Sequence, residues 1–288
     1  MQLSHENSSF EMNFSLNCQG KLIDLSTPKV MGIINITPDS FYDGGNYLSQ
    51  SSILKQAEKL LVEGATFLDL GAFSSRPGAD LITEKEEIER LKPALQAISK
   101  AFPHALLSID TYRSTVAKMA ISEGAHIIND ISGGLFDDQM FSTIAELKVP
   151  YILMHMKGKP KSMQRETAYQ DVVGEVFAFF QKQLTLLNQL GVADVILDPG
   201  FGFGKSLADN YTLLKNQSFF RTLNCPLLIG LSRKSMIQKV IETEAAEALN
   251  GTTAAHVLSL LNGANILRVH DAKEALEAIQ IVDFYQKQ

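Results

Sequence analysis

The sequence predicts a single (β/α)8 barrel, and three observations predict it. Short apolar runs alternate with longer amphipathic stretches from about residue 30 onward, and the apolar runs number eight. Eight strand–helix units over that length give about 32 residues per unit, the size of a βα repeat. Gly64, Gly124, Gly191 and Gly263 each close a helical pattern a few residues before the next strand, as C-terminal caps do. An open, doubly wound sheet shares the alternation; the count of eight favours closure.

Taken in order, residues 1–11 read as a flexible polar tail and 12–288 as one barrel domain without a Pro-, Gly- or Ser-rich linker. Its first stretch, 12–26, reads as a hairpin turning near Gln19-Gly20 and capping the lower mouth of the barrel. The strands expected are 30–36, 66–71, 106–110, 126–131, 151–155, 195–198, 227–231 and 266–269. Between them lie helical patterns such as 51–63, with Ile53, Leu54, Ala57, Leu60 and Leu61 at helical spacing. Another is 169–190, with Val172, Val173, Val176, Phe177, Phe180, Leu184 and Leu187 as its apolar positions.

Composition removes several classes of function. The 288 residues are 45% apolar and 20% charged, which excludes a disordered chain, a collagen and a coiled coil. Lys and Arg number 26 against 32 Asp and Glu, a net charge of −6 that argues against nucleic acid or an anionic membrane as partner. Cys18 and Cys225 form no metal motif and no disulfide framework. The N-terminus lacks the basic-then-apolar order of a signal peptide, and the uncharged run at 248–267 holds too many Asn, Thr and Gly to span a bilayer. A cytoplasmic protein acting on small molecules is the expectation.

A barrel gathers its catalytic groups at the C-terminal ends of its strands. Polar residues stand at every such end: Asn35; Asp69 followed by Arg76; Asp110; Asn129 and Asp130; His155; Asp198; Ser232, Arg233 and Lys234; Arg268 and His270. A single one is commonly the cap of the following helix, but eight converging on one mouth are not explained by capping. Asp and Asn suit the donor–acceptor edge of a nitrogen heterocycle. Arg76, Lys234, Arg268 and His270 suit a diphosphate. Asn35 supplies a neutral oxygen of the kind Mg²⁺ accepts when phosphate and water fill its other positions.

Three competing motifs are weaker. GFGFGKS at 200–206 looks like a phosphate-binding loop, but Pro199 stands where that template needs Gly. His155 and His270 lack the spacing and the further ligands of a zinc site. Ser74, Ser75 and Ser232 sit in no G-x-S-x-G elbow.

The blocks that carry the polar residues also carry a resemblance. They are MGIINITPDSFYDGG (31–45), SSRPGA (74–79), SIDTYR (108–113), INDISGG (128–134), MHMKGKPKSMQ (154–164), LDPGFGFGK (197–205), GLSRKSMI (230–237), GTTAAH (251–256) and RVHDAKEA (268–275). In this order the chain resembles the dihydropteroate synthase family of pterin-binding barrels. The resemblance implies a transferase of folate biosynthesis that joins 6-hydroxymethyl-7,8-dihydropterin diphosphate to 4-aminobenzoate, releasing diphosphate. It implies catalytic roles for Asp110, Asp198, Lys234 and Arg268, and a pterin held by Asp110, Asn129, Asp198 and Lys234 with Met154 as a wall. Arg76, Arg268, His270 and Asn35 are implied to hold the diphosphate, with Asn35 also on Mg²⁺. Phe41, Ser75, Pro77, Phe203, Ser232 and Lys234 are implied to surround aminobenzoate. A homodimer and competition by sulfonamides are implied too.

The chain departs from the family pattern G-G-E-S-T-R-P-G at Ala72, Phe73 and Ser75, keeping Arg76 and Pro77. A methyltetrahydrofolate-binding methyltransferase domain is the alternative enzyme, but it has no need of the diphosphate set. A non-catalytic pterin binder is the alternative outside catalysis, and it would be expected to lose residues such as Asn35, Arg76, Lys234 or Arg268.

Overall fold

The computed structural model describes residues 14–36, 47–73, 82–158 and 168–288, so the tail expected at 1–11 lies outside the described residues. The chain starts as a hairpin of β1 (Ser15–Cys18) and β2 (Lys21–Asp24), paired antiparallel from Ser15↔Asp24 to Cys18↔Lys21. Its two-residue turn places Gln19 at φ 52° and Gly20 at φ 88°, the left-handed geometry that matches strand twist in a tight hairpin.

Eight parallel strands follow: β3 (Lys29–Asn35), β4 (Phe67–Gly71), β5 (Leu106–Asp110), β6 (Ile127–Asp130), β7 (Tyr151–Met154), β8 (Val195–Asp198), β9 (Leu228–Ile229) and β10 (Ile266–Val269). Their order is β8-β7-β6-β5-β4-β3-β10-β9. A parallel bridge from Leu197 to Leu227, with Leu197 N–H donating to the Pro226 carbonyl at 2.9 Å, joins the two ends. The sheet is therefore a closed barrel and not an open one. The strand expected at 227–231 is the shortest, because past Ile229 the chain leaves the ladder and turns, with Lys234 N–H donating to Leu231 O at 3.1 Å.

The helices are α1 (Tyr47–Val62), α2 (Glu84–Ala101), α3 (Ser114–Ser122), α4 (Met140–Leu147), α5 (Val172–Gln189), α6 (Leu207–Lys215), α7 (Ser235–Ile241), α8 (Leu249–Leu261) and α9 (Ala272–Gln286). Their starts follow capping chemistry. The Asp171 carboxylate accepts from Val173 and Gly174 N–H, which is why α5 begins later than the apolar pattern at 169. Ser206 and Asp209 form a capping box at the head of α6.

Strand parity separates two cores. Val30, Ile34, Leu68, Leu70, Ile109, Leu153 and Leu267 face outward and pack with helix residues such as Leu60, Leu95 and Phe180. Met31, Phe67, Leu106, Ile127, Ile152, Ile196, Leu228 and Ile266 face the lumen, where Leu16, Cys18, Ile23 and Leu25 of the hairpin close the bottom. Two residues further along the same inward register, the side chains become Asp69, Ser108, Asn129, Asp198 and Arg268, with Asp110 one step higher on β5. The lumen is thus apolar at one end and polar at the other.

Because the hairpin seals only the apolar end, Leu16→Ala is expected to cost about 2–5 kcal/mol in urea unfolding while leaving ligand affinity at the far mouth unchanged. Loss of ligand binding in a folded Leu16→Ala protein would show that the two ends of the lumen are not independent.

Candidate active site

The polar end of the lumen is organised around Arg268. Its Nε donates to Asp69 Oδ2 at 2.6 Å and its Nη2 to Asp110 Oδ2 at 3.1 Å. Asp69 also accepts from Ser108 Oγ at 2.6 Å and from Asn129 Nδ2 at 2.9 Å, and it is fully buried. Asp110 is nearly as buried, and its Oδ1 has no partner among the described residues. Two carboxylates thus share one guanidinium in a desolvated place. Burial pushes the Asp110 carboxyl well above the usual carboxylate range; Arg268 opposes the shift and the charge of Asp69 adds to it. The result is an oxygen, Oδ1, that is costly to leave unpaired and that faces no donor among the described residues.

A second group stands across the mouth. Asp198 Oδ1 accepts from Gly200 N–H at 2.8 Å, and burial raises its pKa against the pull of Lys234. The Lys234 ammonium donates to Phe201 O at 2.5 Å and lies 4.8 Å from the centre of the Phe203 ring. Burial lowers Lys234 to about 8, Asp198 opposing and Arg268 adding to the shift. Met154 is buried beside Ile131 and Met156, against which Phe73, Tyr112, Phe136 and Phe203 pack.

The third group is the pair Ser232 and His270. Ser232 Oγ and His270 Nδ1 lie 3.0 Å apart, and His270 N–H donates to Ser232 Oγ at 3.2 Å. Arg233 between Ser232 and Lys234 adopts φ 54° and turns away, forking onto Asp271 at 2.8 and 3.0 Å. Asn35 is exposed at the end of β3.

Of the residues expected at the site, Asp110, Asn129 and Arg268 thus belong to one network, Asp198, Lys234 and Phe203 to a second, and Ser232 and His270 to a third. Met154 lies in the apolar wall and Asn35 stands apart from the three. Phe41, Ser75, Arg76 and Pro77 lie outside the described residues. Three strand-end residues do not join the mouth. Asp130 and His155 have outward parity: Asp130 accepts from Ser132 and Gly134 N–H and from the Tyr151 hydroxyl. His155 sits 3.0 Å from the Lys205 ammonium. Arg233 turns away onto Asp271. Asp69, which the sequence singles out only as a strand-end residue, shares its inward parity with Asp110 and lies one step below it, level with Ser108. Where the family pattern has Glu, Phe73 packs edge-to-face on Tyr112 at 5.2 Å.

The family model described as "Pterin binding enzyme" matches residues 31–270. Dihydropteroate synthase of Escherichia coli is 44% identical over 270 residues, covering 93% of this chain and 95% of that protein. The solved Yersinia pestis dihydropteroate synthase with a sulfonamide drug superposes with a TM-score of 0.89 at 40% identity, over 96% of this chain and all of that one. The Xanthomonas albilineans dihydropteroate synthase with 4-aminobenzoic acid gives 0.88 at 36% identity, over 95% and 98% of the two chains.

Arg268→Met strands Asp69 and Asp110 without their cation and is expected to cost about 3–5 kcal/mol in urea unfolding. Adding Asp110→Asn should recover part of that loss, because one fewer carboxylate is stranded. Simple additivity of the two substitutions would show that Arg268 and Asp110 do not act as a pair.

Proposed function

The chain belongs to the pterin-binding enzyme family, and from that membership we infer that it is a transferase joining 6-hydroxymethyl-7,8-dihydropterin diphosphate to 4-aminobenzoate, giving 7,8-dihydropteroate and diphosphate. The observation that carries this reading is the unpartnered, buried Oδ1 of Asp110 beside Asn129 and Arg268. An acceptor in that state favours a ligand edge rich in N–H donors, as the pterin ring offers.

In this reading Asp110, Asn129, Asp198 and Lys234 hold the pterin, with Met154 against its face. Arg268 and His270, with Arg76, bind the diphosphate and offset the negative charge it develops as the methylene C–O bond breaks. The oxygen keeps the bonding electrons, leaving an electron-poor methylene that the buried carboxylates of Asp110 and Asp198 stabilise. The amine of 4-aminobenzoate then supplies the pair for the new C–N bond and releases one of its protons to the departing diphosphate or to water. Phe203, Ser232 and Lys234, with Phe41, Ser75 and Pro77, surround that second substrate.

Asn35 would hold Mg²⁺ as a single neutral oxygen at the mouth. Among the described residues no group of three His, Cys, Asp or Glu is placed to hold a metal, so the donor set fits an ion carried chiefly by diphosphate and water. When bound, the ion adds positive charge at the leaving group. The same reading takes the protein as a cytoplasmic homodimer for which sulfonamides compete with aminobenzoate. Supporting it, Leu258 and Leu261 of α8 and Ile281 and Phe284 of α9 are exposed, and among the described residues no helix is long and apolar enough to cross a membrane.

The experiment is direct: diphosphate release from the dihydropterin diphosphate should require both 4-aminobenzoate and Mg²⁺. Turnover without either would contradict the reading.

Asp110→Asn should weaken a non-reactive pterin by about 2–3 kcal/mol in calorimetry, since the amide sets a donor against ligand donors. In the native protein the raised pKa of Asp110 means that a proton must leave before N–H donors are accepted. Affinity is therefore expected to gain a rise with pH that levels off once free Asp110 is ionised, whereas Asp110→Asn should lose that rise and keep only the pH dependence contributed by Asp198 and Lys234. A native profile identical to the variant's would remove Asp110 from the contact.

A further inference from the structure

Lys205 lies in the turn after β8, and the functional reading gives it no task. It is 4% exposed, yet no carboxylate among the described residues touches its ammonium. Instead Nζ lies 2.9 Å from Gly200 O, 3.1 Å from Phe203 O, 3.3 Å from His155 O and 3.0 Å from His155 Nδ1. Burial and the nearby lysine charges keep His155 neutral, lowering it to about 2, so its Nδ1 accepts. Four acceptors surround one nitrogen, and the ammonium, with three N–H donors and no lone pair, meets them with one N–H shared between two acceptors.

The run of glycines at 200–204 takes its meaning from this cage. Gly200 sits at φ 68°, and a Cβ there would collide with the His155 carbonyl. The turn points carbonyl oxygens at an internal cation, the reverse of a phosphate loop, which points N–H groups at an anion. From the other side, Lys234 donates to Phe201 O at 2.5 Å and lies over the Phe203 ring. Two ammonium groups thus grip one short turn, Lys205 by the carbonyls of Gly200 and Phe203 and Lys234 by the carbonyl between them.

We propose that Lys205 is a positioning residue for the acceptor substrate: its buried ammonium folds the turn so that the Phe203 ring and the Phe201 carbonyl meet Lys234 beside the aminobenzoate pocket. This rests on the reading that Phe203 belongs to that pocket, and the test separates the two. Lys205→Met keeps an unbranched stem, one heavy atom shorter, and removes every donor. It is expected to raise KM for 4-aminobenzoate about tenfold, with a smaller change in affinity for a non-reactive pterin. In a Phe203→Ala background, adding Lys205→Met should change that KM by less than about twofold, because the ring through which Lys205 acts is already gone.

An unchanged KM in Lys205→Met overturns the proposal, as does full multiplication of the two effects in the double variant. A normal KM in Phe203→Ala alone is a different failure: it removes Phe203 from the acceptor wall, and the proposal falls with the functional reading. If Lys205→Met does not fold, nitrogen-15 lysine spectra of the native protein decide. An ammonium signal that persists in Lys234→Arg, and so belongs to Lys205, should be protected from solvent exchange and in the native protein should shift when aminobenzoate binds in the presence of Mg²⁺ and diphosphate. Absence of a protected ammonium other than that of Lys234 overturns the proposal.

Discussion

A guanidinium shared between two buried carboxylates is an uneasy arrangement, and the polar half of this barrel is built around it. Arg268 comes from β10, Asp69 from β4 and Asp110 from β5, with β3 between β10 and β4. One cation near two acids leaves the group negative, and Ser108 and Asn129 relieve Asp69 but not Asp110. The free oxygen of Asp110 is thus a consequence of how many donors the layer holds. A protein that spends its donors on one carboxylate leaves the other for a ligand.

The closed barrel makes this possible. Closure through Leu197 and Leu227 confines the inward side chains to a lumen, and the hairpin fills the lower end with Leu16, Ile23 and Leu25. The apolar floor excludes water from below, so charges in the layer above act at reduced dielectric. Burial is accordingly the leading cause of the raised Asp110 and Asp198 and of the lowered Lys234 and Lys205. The strand ends do the opposite work of opening outward: β9 stops after two residues, and Arg233 turns aside in a left-handed conformation, letting Ser232 reach His270 and Lys234 reach the Phe201 carbonyl.

Most of the fold was legible because periodicity is a local property. The eight strands and the hairpin turn at Gln19-Gly20 follow from apolar spacing and turn chemistry, and the errors lie at ends such as 227–231 and 169–171. The site was legible in part for a similar reason: strand ends can be read from one chain. What could not be read without pairing register was which strand-end residues face inward. Asp130 has the same chemistry as Asp110 and Asp198, and His155 is as polar, but both have opposite parity, and a count by two along each strand separates them. Asp69 was visible at its strand end and lacked a role because its partners come from β5, β6 and β10. Lys205 was hidden more deeply. Its glycine-rich surroundings resemble an anion site in sequence, and only the direction of the carbonyls reveals a cation site.

The central claim is that Arg268 and Asp69 set the state of Asp110 before any ligand arrives. Carbon-13 spectroscopy of the aspartate carboxyls, with Asp110 assigned by substitution, measures that state directly. Asp110 should titrate well above the ordinary carboxylate range in the native protein and move downward in Asp69→Asn, where the neighbouring negative charge is removed. An Asp110 carboxyl that titrates normally, or that ignores the loss of Asp69, would contradict the account.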